Sequence, residues 1–286
     1  MNRPSRTTEF SPADIEALRP VMKVGLVATR NPEGLPHVTL LSSLQASTPT
    51  QLIWGQFAEG LSKAYIRETP EAGFLIMTLD RELWRGKAKF THTATQGPEF
   101  EMYNNTPMFR YNAYFGIHTV YYLDLIEHGG RQALPMGKVV LAALQTMIAR
   151  GLDGKRGARE ILNVWTRGLM NKLDNLKFLA YVGGDGYPVI VPIIQAQAAD
   201  GERILFSTGA FQEDLEAIPE GATVAVFGMS LQMEDVLLRG QYQGIRRTPR
   251  FGPRCGTVTV NWVYSPMPPK PQQIYPPLDL EPVTAF

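Results

Sequence analysis

This sequence is constrained most by an internal repeat. The turn Glu33-Gly34-Leu35-Pro36 recurs as Asp185-Gly186-Tyr187-Pro188, 152 residues further on. At that same offset LIWGQFA (52–58) lies over ILFSTGA (204–210), and FLIMTL (74–79) over VFGMSL (226–231). Arg85-Gly86 lies over Arg239-Gly240 at an offset of 154, as though two residues had slipped in. Turn, strand, turn and strand recurring in order mark a duplication, and two copies are too few for a solenoid. The expectation is two similar β domains in one chain.

Local signals fill in the first copy. Ser11-Pro12-Ala13-Asp14 reads as a helix start, with serine as N-cap and proline at the first helical position. A strand follows over 24–29, then the tight turn Asn31-Pro32-Glu33-Gly34, in which Gly34 supplies positive φ. Pro36 opens the next strand, where a missing N–H is tolerable. Two β-rich runs, 37–44 and 51–57, flank a turn at Ser47-Thr48-Pro49. A helix is expected from Ser62 to Glu68. The continuous apolar run 73–79 predicts a strand buried on both faces. Strands are expected again over 84–93 and 119–127, with a helix over 98–105, which makes a sheet of about six strands.

Between the copies, the apolar spacing of 137–150 predicts an amphipathic helix, and 158–173 a second one. The domain reading is therefore 1–128, a helical connector 129–175, a second β domain 176–265, and a proline-rich extended tail 266–286. The fold class is mainly β with helices, α+β.

Composition narrows the function. The chain has 286 residues, 44% apolar and 19% charged, enough for a sizeable core. Its net charge is +1, which gives no reason to expect nucleic acid or an anionic membrane as a partner. There is one cysteine, Cys255, so neither an internal disulfide nor a cysteine metal cluster is available. Cys255 reads as structural. The N-terminal stretch lacks the apolar core of a signal peptide. No run approaches the roughly 20 apolar residues of a membrane span. A cytoplasmic location is expected.

The chemistry concentrates in 35–67. Glu59-Gly60-Leu61-Ser62-Lys63 is a short Gly/Ser/Lys loop opening a helix. A hydroxyl, backbone N–H groups and one ammonium can converge there on a phosphate. Walker and GxGxxG patterns are missing. The four histidines lack HxxxH and HExxH spacing, so no metal is expected. No GxSxG elbow occurs. In the second copy the loop becomes Gln212-Glu213-Asp214-Leu215, whose carboxylates repel a phosphate.

These residues together resemble the pyridoxamine 5'-phosphate oxidase-like family of FMN-binding split β-barrels. The elements that carry the likeness are Gly34-Leu35-Pro36, the strand 37–42, the strand 53–57, Ser62-Lys63, the buried strand 74–79 and Arg85-Gly86. The likeness covers about 20–128, and more weakly 176–265. It implies two FMN-binding split-barrel-like domains joined by a helical connector. It implies that Ser62 and Lys63 hold the FMN phosphate, and that His37, Val38, Thr39, Leu40 and Ser42, with Gly55, Gln56 and Phe57, line the ring. Arg85 would add positive charge nearby. The fuller basic phosphate set of the oxidases proper is missing, as is their C-terminal substrate-binding set.

Family members commonly dimerise with the flavin at the interface. The chain is therefore expected either to form a homodimer or to build a pseudo-dimer internally. The function implied is an FMN-dependent oxidoreductase acting on a small-molecule substrate or electron donor. The alternatives are a flavin carrier or sensor without turnover, and a deazaflavin-dependent reductase. The aromatics of 103–122 suit either a pocket wall or a domain interface.

Overall fold

The computed structural model describes residues 6–111, 116–153, 159–249, 252–267 and 271–279. By contacts the chain divides into two units, Met1–Leu134 with Val182–Ile190, and Pro135–Tyr181 with Val191–Phe286.

In the first unit α1 (Pro12–Leu18), β1 (Lys23–Arg30), β2 (Pro36–Leu40), β3 (Gln45–Thr48) and β4 (Gln51–Gln56) come in order. They are followed by α2 (Leu61–Glu68), β5 (Glu71–Thr78), β6 (Glu82–Ala94), α3 (Pro98–Asn105), α4 (Pro107–Tyr111), β7 (Thr119–His128) and β8 (Gln132–Ala133). Ser11 caps α1 as its sequence predicts, Asp14 returns a bond to complete a capping box, and Asp14 also accepts from Trp84 Nε1 at 2.8 Å. All pairings are antiparallel, in the order β2-β1-β5-β6-β7-β4-β3, with β8 added to β6. The sheet thus has eight strands rather than six.

The two ends of that path, β2 and β3, are consecutive in the chain. The corner 41–44 joins them and closes the sheet on itself. Leu41 N donates to Gly25 O at 2.7 Å on one side of the corner. On the other, Ser43 Oγ accepts from Gly55 N at 3.0 Å and donates to Gly55 O at 3.1 Å. This is a split barrel. Val27, Phe74, Ile76, Trp84, Trp54 and Tyr121 fill its interior, with Ile66 of α2 among them. A second apolar cluster, Ile53, Tyr103, Phe109, Ile117, Val120 and Tyr122, packs separately.

The second copy of the repeat runs through α5 (Met136–Asp153), α6 (Val164–Asn171), β9 (Leu176–Val182), β10 (Pro188–Pro192), β11 (Gln197–Ala198) and β12 (Arg203–Ser207), with the turn between β9 and β10 counted by contacts in the first unit. Then come α7 (Gln212–Glu216), β13 (Thr223–Met229), β14 (Asp235–Arg247), β15 (Arg254–Ser265) and β16 (Gln272–Tyr275). Its order, β10-β9-β13-β14-β15-β12-β11, is that of the first sheet, with β16 beside β15. Part of the tail is therefore sheet. The second connector helix is shorter than expected, starting after Asn163, whose side chain caps Thr166 N at 2.8 Å.

The repeat survives in three dimensions. Val27 pairs with Phe74, and Leu179 with Val226. Gly34 and Gly186 have φ of 79° and 83°. Gln195 Nε2 donates to Ser207 O at 2.6 Å, the counterpart of the Ser43–Gly55 bond. One sequence reading is corrected. Ile76 faces Trp84, and Gly228 faces Val236, so the offset stays at 152 through β6 and β14. Both hairpin tips hold a non-glycine residue at positive φ, Arg81 (62°) and Met233 (67°), and both strands carry a register shift, after Lys87 and after Arg239. Turn geometry sets register, so Gly86 corresponds to Leu238, and the repeated Arg-Gly pair is coincidental.

Candidate functional site

The loop after β4 delivers Ser62 and Lys63 to the start of α2, which packs against β1 and β2. Gly60 caps this helix without a side-chain hydrogen bond. Ser62 is 2% exposed and Lys63 7%. Among the described residues, neither the Ser62 hydroxyl nor the Lys63 ammonium has a hydrogen-bond or ion-pair partner. Burial lowers the Lys63 pKa, and the charge of Glu59 partly offsets that. A desolvated ammonium beside the N–H groups of a helix start favours an incoming anion, which restores the charge balance.

Neighbouring groups frame this cradle. Gln56 is buried, and its Nε2 donates to Glu59 Oε1 at 2.7 Å. Its Oε1 is buried without a partner, an acceptor that a ligand N–H or O–H would satisfy. Arg67 lies one turn beyond Lys63 and donates to Tyr121 Oη at 2.7 Å. Its guanidinium sits 5.6 Å from the centre of the Tyr121 ring, which in turn stacks on Trp54 at 5.1 Å. Tyr65 meets the His37 ring edge-on at 5.5 Å. Sequence reasoning missed Tyr65 and Arg67; Glu59 it read as part of the loop, and Tyr121 as one of the aromatics suited to a pocket wall or an interface. The spacing of Lys63 and Arg67, four apart on one helix, was the available signal.

The structure distributes the other expected residues over two faces. In register, His37 and Thr39 lie opposite Thr29 and Val27, on the face that carries the core residues Val27 and Phe74. Val38 and Leu40 alternate to the other face. Arg85 lies opposite Leu75, which lies opposite Leu26 and hence in the row of Leu40. β5 intervenes between Arg85 and β1, the strand on which α2 packs. Lys87 on the same strand is ion-paired with Glu127 at 2.8 Å. Ser42 sits in the closing corner, where its neighbour Ser43 is the buried, bonded serine.

Gly55 has a structural reason of its own. A Cβ there would lie 2.0 Å from Ile117 Cδ1. Its open face is therefore filled by Ile117. Phe57 packs on Phe109, ring centres 5.6 Å apart. Of the aromatics in 103–122, Tyr103, Phe109 and Tyr122 join the second apolar cluster, and residues 112–115 lie outside the described residues. In the second unit the corresponding segment is α7, with Glu213 and Asp214 in its first turn.

The fold defines a tandem split-barrel protein, and its first copy carries a buried lysine at the start of α2 where the second copy has Glu213 and Asp214. No family model matches the chain, and no curated protein matches it. Several solved structures are similar to part of it. HupZ of Group A Streptococcus is 14% identical with a TM-score of 0.34, over 41% of this chain and 89% of that one. An FMN-binding protein from Syntrophomonas wolfei is 15% identical with a TM-score of 0.33, over 41% of this chain and 80% of that one. A candidate pyridoxamine 5'-phosphate oxidase from Lactobacillus delbrueckii is 14% identical with a TM-score of 0.34, over 43% of this chain and 94% of that one.

Proposed function

We propose that the first unit binds FMN and that the chain is an FMN-dependent oxidoreductase acting on a small molecule. The observation that carries this reading is Lys63, buried and unpaired among the described residues at the start of α2 beside Ser62. Ser62, Lys63 and the first N–H groups of α2 hold the phosphate. Gln56 offers its unsatisfied carbonyl oxygen to a ligand donor. His37, which meets Tyr65 of α2 edge-on at 5.5 Å, lies beside the same helix. Glu59 tempers the positive charge, so one phosphate is held rather than a polyanion.

A bound flavin supplies the electron chemistry, and the protein supplies position and electrostatics. In this site the Gln56 amide only donates to the Glu59 carboxylate and transfers no proton. The test is an absorption spectrum of the purified chain, with FMN titrated into any apo fraction. Oxidised-flavin bands or saturable uptake support the reading. A colourless protein that takes up no FMN sinks it. Turnover with a reductant and an electron acceptor then separates an enzyme from a flavin carrier.

A further inference from the structure

We infer that the first unit carries a second ligand site, apart from the α2 cradle, for a small carboxylate with an apolar body. The site is a cavity of about 510 Å³ where α1, β3, β4, α3 and α4 meet. Lys23, Gln45, Ile53, Glu99, Met102 and Phe109 line it, and no residue of α2 does.

The duplication shows why this cavity stands out. Ile53 and Leu205 hold the same place in the two copies. In the second, α5 lies directly on that face: Ala149 packs with Leu205 and Cys255, and Thr146 Oγ1 accepts from Ser207 N at 2.9 Å. In the first, the cover is α3 and α4, which have no helical counterpart between β14 and β15 among the described residues. Tyr103 and Phe109 pack against Ile53 in one cluster. Beyond them the cover leaves room of a size that suits a small organic ligand.

The lining is chemically sorted. Lys23 is 9% exposed, and its Nζ donates to Leu18 O at 2.7 Å and Pro20 O at 2.9 Å. An ammonium has three donors, so one remains. Gln45 Nε2 donates to the weak sulfur acceptor of Met102 at 3.7 Å. These two groups suit a carboxylate. Arg19, also in the lining, is already paired with Glu16 at 2.9 Å. Ile53, Met102 and Phe109 offer an apolar bed. Glu99, also in the lining, accepts from Tyr122 Oη at 3.0 Å. Burial pushes the Lys23 pKa down to about 8, a penalty that a bound carboxylate relieves.

The experiment is calorimetric titration of the full chain with 3-phenylpropionate. Saturable one-to-one binding is expected, with 3-phenylpropan-1-ol at least tenfold weaker. Met102 is half-exposed at the rim, so Met102→Trp plugs the cavity without disturbing the core. It should weaken 3-phenylpropionate at least tenfold and leave FMN uptake unchanged. No saturable binding, equal binding of the alcohol, or undiminished binding to Met102→Trp would each overturn the inference. FMN uptake reads the α2 cradle separately, so failure of one site is distinguishable from failure of the other.

Discussion

The Ser43 hydroxyl bonds both backbone groups of Gly55, accepting from its N–H at 3.0 Å and donating to its carbonyl at 3.1 Å. One side chain thus joins the corner between β2 and β3 to β4. Ser43 is 1% exposed, so water cannot replace it. Ser43→Ala leaves a buried N–H and C=O unpaired, at a cost of about 1–3 kcal/mol. Denaturant unfolding should show a lower midpoint with an unchanged slope. An unaltered midpoint would mean the corner closes without this bond.

Gly55 is held to glycine by Ile117, whose Cδ1 would lie 2.0 Å from an added Cβ. Gly55→Ala should destabilise by about 1–3 kcal/mol through overpacking. Ile117→Ala should cost less when added to Gly55→Ala than it does alone, because the two changes share one contact. A double-mutant cycle in chemical denaturation measures the coupling. Strict additivity would show that glycine serves something other than Ile117.

Lys63 pits function against stability. Lys63→Met removes the buried ammonium, and FMN affinity should fall at least tenfold, about 1.4 kcal/mol or more. The unfolding midpoint should hold or rise, since burial penalises the charged form. Affinity in the wild type should also decline as pH rises through a lysine pKa below the ordinary range, and Lys63→Met should lose that decline. FMN titration of both proteins across pH checks this. Equal affinities would remove Lys63 from the phosphate site.

Asp235 sits where the first copy has Leu83, and is 8% exposed with Oδ1 unpartnered. Burial pushes its pKa up to about 7, from an ordinary 3.8. Between those values the folded state holds a proton that the unfolded chain has released. Stability therefore falls as pH rises from about 4 to about 7, and levels off above, for a total of up to about 4 kcal/mol. Asp235→Asn should be more stable than wild type at pH 8, with the advantage shrinking towards pH 4. An advantage that does not vary with pH would refute this assignment.

The duplication, the two glycine turns and the α1 cap were legible in the sequence because each depends on residues close together in the chain. Gly34 and Gly186 signal positive φ locally, and Ser11 with Asp14 forms its capping box within one turn. The Ser62-Lys63 loop was legible as a helix start for the same reason. Tertiary structure alone decided what lies across the sheet. It split His37 and Thr39 from Val38 and Leu40, kept the repeat offset at 152 through β14, and gave Gly55 its reason in Ile117. It also buried Lys63, and left a cavity beneath α3 where the other copy packs α5. Pairing register and burial depend on strands distant in the chain, and a local pattern carries no record of which strand arrives opposite.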